Sequence, residues 1–273
     1  MDILTQGVLG SATAIAVSAK TFGIRKSIVL GFLFGIAADF DLFFGLFIHH
    51  PWMVHRGISH SLFFAPFVAI CTTLFRFMLK KDFYKEWFWL TFFTLLTHPL
   101  LDLFTSNGTP LLMPFFYYPF ALSSIAVVDL NYSLPLFFSL VICWFLKETH
   151  KAVWLNASIL FITSIYLFCG IICQDIALKM VDYEQNSKNQ LLKDVKCIVG
   201  VDLFSITNRY AVCVNNHSIY ETRFKVNPFD YKYKIDSDNT PLVWIKKNKT
   251  VDILTKKDAN KYVIDKNFYK AFF

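Results

Sequence analysis

The chain has 273 residues, 55% of them apolar and 18% aromatic, with 31 Phe, only 17% charged residues and a net charge of +7. Together with a mean hydropathy of +0.44, that balance excludes a disordered chain and argues against a single soluble domain, which would carry roughly a quarter charged residues. Lys and Arg number 10 and Asp and Glu 8 before residue 174, against 17 and 12 from there on; neither part is basic enough for nucleic acid, and membrane lipids are the expected electrostatic partner.

Residues 1–19 carry Asp2 and no cationic run ahead of their apolar core, so they read as a weakly apolar helix and not as a cleaved signal peptide. Further apolar segments follow at about 28–48, 61–79, 87–104, 132–146 and 154–173, several near the roughly 20 residues that cross a bilayer. The fold class expected is an α-helical integral membrane protein of about six spans with a small C-terminal β-rich soluble domain. Lys20, Arg25, Lys26, Arg76, Lys80, Lys81, Lys85, Lys147 and Lys151 fall in alternate connections, and only Arg56 falls in the others. By the positive-inside rule the basic loops are cytoplasmic, which puts the remaining connections and the tail outside the cytoplasmic membrane.

From residue 174 to 196 the sequence is polar and helix-compatible, a helical stalk or linker between a membrane domain at 1–173 and a β-rich domain at 197–273. In that last part, segments 197–206, 210–214, 219–226, 242–246 and 250–254 are rich in β-branched and aromatic residues, with turn signals at Asn215-Asn216 and Asp238-Asn239. Cys71, Cys143, Cys169 and Cys173 sit in apolar runs as packing residues. Cys197 and Cys213 lie in the tail and can be bridged only in an oxidising compartment.

Within the apolar part, Asp39, Asp41, His55, His60, His98, Asp102 and Asp129 stand out, because an ionisable group at membrane depth is costly unless paired, hydrated or ligating. Asp39 and Asp41 would point about 200° apart on a regular helix, so both face one site only where the helix ends or unwinds; a capping pair is the alternative. His55-Arg56-Gly57-Ile58-Ser59-His60-Ser61 sets two imidazoles around a glycine that lets the backbone bend. His98 and Asp102, at i and i+4, share a helical face and can grip one cation or simply hydrogen-bond two helices together. Pro99 can begin a helical segment without stranding an amide hydrogen. His49 and His50 precede Pro51 with no carboxylate near them and read as surface residues. Carboxylates and imidazoles drawn from three or more segments are most economically a metal site, and the oxygen and nitrogen donors suit zinc or manganese.

Thr5-Gln6 with Leu9-Gly10, Ala38-Asp39-Phe40-Asp41, the His55–Ser61 run and Thr97-His98-Pro99-Leu100-Leu101-Asp102, followed by Gly108 and Pro114-Phe115, together resemble the predicted membrane-bound metal-dependent hydrolases of bacteria, also called inner-membrane hydrolases. Ile125-Ala126-Val127-Val128-Asp129 resembles the next segment of that family, and Pro228 and Trp244 suit its C-terminal domain. Ala38 and Leu130 stand where the family usually has Pro, and Gln6 stands where many of its members have His. The ligand spacing is similar, more faintly, to that of zinc-dependent phospholipase C and nucleases, which implies phosphoester substrates.

The resemblance implies a hydrolase holding one or two divalent ions, zinc or manganese, and acting on a phosphoester or lipid-linked substrate at the outer membrane face. Asp39, His60, His98 and Asp102 are the first choice of ligands. Asp41 and His55 would ligate a second ion or serve as general base and outer donor. Arg56 would stabilise a developing anion, with Gln6 and Asp129 in supporting positions. A non-catalytic regulator with a protein-binding tail and a transporter with a cation pathway are the rival classes.

Overall fold

The computed structural model describes residues 1–41, 56–187, 195–214, 218–229 and 245–248. They divide into two compact units, Met1–Leu122 with Val127–Leu167, and Ser123–Ala126 with Phe168–Phe273.

The first unit begins with a helical hairpin. Asp2 accepts a hydrogen bond from the Thr5 amide and starts α1, Ile3–Phe22, which Gly23 ends with φ 81°, a backbone angle that glycine adopts without strain. α2, Ile24–Gly35, then returns along α1. The two backbones touch because small residues face each other: a Cβ added at Gly31 would lie 2.5 Å from the Ala14 Cβ and the Gly10 carbonyl oxygen. Ser11 Oγ donates to the Ile28 carbonyl, and Ser18 and Ser27 share a hydrogen bond. Close approach of this kind leaves buried polar side chains partnered across the seam instead of wedged between bulky neighbours.

After α2 the chain tightens into a 3-10 turn, Ala37–Phe40, and a second such turn, Ile58–His60, leads to α3, Phe64–Met78. α4, Tyr84–Leu103, packs against α1 and α3 and carries His98 and Asp102 near its end. It runs through Pro99 without a break, so Pro99 lies inside a helix and does not begin one. α5, Leu130–Phe145, is capped by Asp129, whose carboxylate accepts the Asn131 and Tyr132 amides. α6, Thr149–Ser187, is the longest helix among the described residues at 39 residues, and its last turns occupy much of the stretch expected as a stalk.

The expectation of about six spans is overturned. Among the described residues only α6 is long and apolar enough to cross a membrane, over Thr149–Gln185 with a mean hydropathy of 2.0; α3 and α5 are apolar but short. The reason is how the apolar segments are used. The one expected at 28–48 stops being α-helical at Gly35 and turns to build a polar cluster. α1 and α4 are 20 residues long, but buried Thr5, Gln6, Ser11, Ser18, Thr91, Thr94, His98 and Asp102 interrupt their apolar surface. The sidedness argument that counted six crossings loses its basis with them.

In the second unit, β1 (Lys196–Val201), β2 (Asn208–Val214), β3 (Ser218–Lys225) and β4 (Ile245–Asn248) form an antiparallel meander in chain order. Cys197 and Cys213 face each other across β1 and β2 and are joined by a disulfide. The segment expected at 250–254, both Asn/Asp turn signals and Trp244 lie outside the described residues.

Arg209 on β2 is fully buried. Its guanidinium donates to the Ile206, Ser123, Ser124 and Gly170 carbonyls and to the Gln174 side-chain oxygen. A Cβ at Gly170 would lie 2.5 Å from the Ser124 oxygen, so this glycine lets the Ser123–Ala126 segment come close enough to share the arginine. Arg209→Met removes every one of these donors while keeping most of the volume. It is expected to destabilise the protein by at least about 3 kcal/mol, since each stranded buried acceptor costs roughly 1–3 kcal/mol. Thermal or urea unfolding of the full chain in detergent reads this directly; an unchanged midpoint contradicts it.

Candidate metal centre

Three elements bring the expected residues together. The 3-10 turn after α2 supplies Asp39, the turn at Ile58–His60 supplies His60, and α4 supplies His98. His60 and His98 are essentially inaccessible to solvent, and Asp39 is buried. Their imidazole rings meet edge to face at 4.7 Å, with the two Nε2 atoms 3.1 Å apart. Asp39 Oδ1 lies 3.4 Å from each of those nitrogens.

The outward-facing ring nitrogens determine what the inward ones can offer. His98 Nδ1 is 2.7 Å from the Gly35 carbonyl, which only accepts, so Nδ1 carries the hydrogen and a neutral ring turns its Nε2 lone pair inward. His60 Nδ1 faces Ser59 Oγ at 3.0 Å and Asp41 Oδ2 at 3.3 Å, while Ser59 Oγ donates to that same carboxylate at 2.6 Å. Nδ1 of His60 is therefore also the donor, and its Nε2 also points a lone pair inward. Two lone pairs and a carboxylate oxygen then converge, an arrangement that repels itself unless a positive charge lies among them.

The spacing fits a metal ion. Ligand arms of about 2.0 to 2.1 Å in a tetrahedron give donor separations near 3.3 Å, against the 3.1, 3.4 and 3.4 Å observed. Two further acceptors, Asp39 Oδ2 and Gln6 Oε1, are buried without a hydrogen-bond partner among the described residues. Donors of this kind suit zinc and manganese alike. With no ion at that point, protons on the same two Nε2 atoms would supply the positive charge: burial works against the Asp39 carboxylate, but hydrogen bonds from a protonated His60 and His98 would outweigh it and hold the group well below the ordinary carboxylate range. Burial also disfavours a charged His60, yet Asp39 and Asp41 override it and raise its affinity for a proton.

Asp102 stands beside the trio, its Oδ2 3.6 Å from His60 Nε2. The same oxygen is 3.5 Å from Arg56 Nη2, while Oδ1 accepts Gln6 Nε2 at 3.1 Å and pairs with the Met1 amino group. Arg56 itself donates Nη1 to the Gly108 carbonyl and its amide to Asp41. Asp39 and Asp41 thus bracket His60, one at each ring nitrogen, because the chain has left the α-helix by that point. Gln6 adjoins Asp102 and the His98 carbonyl.

Asp129 belongs elsewhere: besides capping α5 it accepts the Tyr166 hydroxyl with both oxygens, and none of these partners is part of the cluster. His55, His49 and His50 fall outside the described residues. Two participants escape a reading of motifs. Ser59 ties His60 to Asp41, and it could have been noticed as the hydroxyl beside the second histidine. Gly35 orients His98 with a main-chain atom and offers only the Gly31-x-x-x-Gly35 spacing as a signal.

The model of one protein family, described as YdjM inner membrane protein, matches residues 1–176, a stretch that contains every residue of the cluster. No curated protein and no solved structure matches the chain. The inner-membrane part of the expected kinship is therefore met, and the description names no reaction.

His98→Ala and Asp39→Asn should each lower the metal bound to purified protein at least tenfold, read by elemental analysis, because each removes one of three converging donors. Asp129→Ala should leave metal content unchanged and lower unfolding stability by about 1 kcal/mol through loss of the cap.

Proposed function

This chain belongs to the YdjM inner membrane protein family, and we propose from that premise that it is a membrane-bound metal-dependent hydrolase. The reading is carried by one observation, the convergence of His60 Nε2, His98 Nε2 and Asp39 Oδ1 on a single buried point. Zinc is the ion proposed, and a phosphoester or lipid-linked substrate is the proposed class. Zinc held there would lower the pKa of a coordinated water toward about 7 and polarise a phosphoryl oxygen.

The chain's own groups divide the remaining work. Gly35 and Asp41 hold the two imidazoles with their Nε2 lone pairs inward, so Asp41 acts through His60. Asp102 completes the ligand set from the side of α4, and Gln6 steadies that carboxylate through Oδ1. Arg56 offers the remaining guanidinium donors to a substrate anion, and charge-assisted bonds of that kind strengthen as negative charge grows.

The near-complete burial of both imidazoles favours a second reading, a structural ion in a membrane regulator that has no turnover. One experiment separates them. Purified full-length protein in detergent is expected to hydrolyse bis(p-nitrophenyl) phosphate, to lose activity with a chelator and to regain it with zinc. His98→Ala should reduce turnover at least 100-fold while the protein stays folded. Unfolding of that variant with no turnover in the parent would favour the structural ion.

The second unit is proposed to face the extracytoplasmic side. The Cys197–Cys213 bridge supports this, since persistent disulfides are rare in a reducing cytosol. Alkaline phosphatase fused after Phe273 should be active in cells, and activity of only a cytoplasmic reporter at that position contradicts the assignment.

A further inference from the structure

Residues 104–128, between α4 and α5, contain no Asp, Glu, Lys, Arg or His and form no helix. The loop is nevertheless fastened. Thr109 and Phe120 exchange both main-chain hydrogen bonds at 2.8 and 2.9 Å, and Leu122 donates to the Leu103 carbonyl. Beyond that neck the segment projects four consecutive rings, Phe115, Phe116, Tyr117 and Tyr118, with Phe116 64% and Tyr117 71% exposed. Phe115 packs edge to face on Phe63, which immediately precedes α3.

We infer that this loop is a membrane anchor whose aromatic tip lies at the boundary between lipid head groups and acyl chains. The inference rests on the inner-membrane family and on the geometry of the loop, and it stands apart from the proposed chemistry. Two physical limits bracket its depth. Four adjoining exposed rings with no charge among them are too apolar to be left in water without a purpose. An irregular backbone facing lipid is equally unsuited to the hydrocarbon interior, where amides find no water. The boundary satisfies both. Tyr117 and Tyr118 keep their hydroxyls among head groups while their rings lie in acyl chains, the habit that concentrates tyrosine in interfacial belts.

The loop carries further features suited to that place. Pro110, Pro114 and Pro119 bring no amide hydrogen, so the tip has three fewer donors to satisfy where water is scarce. Several of the other amides turn inward: Leu111 donates to Thr109, Met113 to Pro110, and both Phe115 and Phe116 to Leu112. The tip is also coupled to the metal centre. Leu62, two residues after His60, donates to the Leu111 carbonyl, and Arg56 bonds the Gly108 carbonyl while pairing with Asp102. An anchor held in this way fixes the depth of the metal centre, so that an amphiphile whose head group reaches Arg56 would keep its chain in the lipid.

The test reads position alone. Full-length protein carrying Phe116→Trp, and separately Tyr117→Trp, is reconstituted in phosphatidylethanolamine–phosphatidylglycerol vesicles whose acyl chains are brominated either near the head group or near the methyl end. The emission added by the new Trp is obtained by difference from the parent chain. At the boundary, shallow bromines should quench that emission at least about twofold more than deep ones. Stronger quenching by deep bromines would place the tip in the hydrocarbon interior and overturn the proposal. A blue-shifted emission that neither lipid quenches would show the rings covered by protein, a second copy or another partner, and would overturn it too. Red-shifted, unquenched emission in both variants would leave the loop in water and would likewise overturn it. None of these outcomes depends on metal content or turnover, so failure here and failure of the hydrolase reading remain distinct.

Discussion

Two imidazole nitrogens face each other at 3.1 Å with a carboxylate oxygen 3.4 Å from each, and that convergence is the constraint on which the rest of the first unit turns. Neither imidazole would hold this orientation unaided. Each is held by what binds its other nitrogen, a main-chain carbonyl for His98 and the Asp41–Ser59 pair for His60. The outer partners in turn depend on how the neighbouring elements pack. Gly35 reaches α4 because α2 lies close against α1, and Asp41 reaches His60 because the chain abandons the α-helix after Gly35.

This dependence explains how the apolar sequence is deployed. A chain with such composition invites a count of membrane crossings, and segments at 28–48 and 87–104 satisfy the count by length. In the structure the first breaks into a helix and a tight turn, and the second hides threonines, a histidine and an aspartate along its length. Composition averages over a window and cannot register that a few polar residues are concentrated where several elements meet. α6 also buries Asn156 and Thr163, but it is nearly twice as long as α4, and it alone among the described helices retains the length and apolarity to span.

The site was more legible than the architecture, for a physical reason. Ionisable groups in apolar surroundings are expensive, so Asp39, His60, His98 and Asp102 advertise themselves without any knowledge of the fold. The i, i+4 spacing correctly placed His98 and Asp102 on one helix, and the i, i+2 spacing of Asp39 and Asp41 correctly required an unwound backbone. Asp129 stood out by the same rule, yet its cost is met by a helix cap and the Tyr166 hydroxyl, partners that no local spacing reveals. Arg209 drew no notice because the sequence around it is polar; only the fold shows a guanidinium sealed among carbonyls.

The contact between His98 and the Gly35 carbonyl has one more consequence. A main-chain acceptor is present whatever side chain its residue bears, so the instruction that orients the imidazole is written as a limit on bulk and not as a functional group. A survey that deletes polar groups one at a time would pass over Gly35. One that adds methyl groups along the Gly10, Gly31 and Gly35 seam would find it at once, through loss of a donor geometry tens of residues away in sequence.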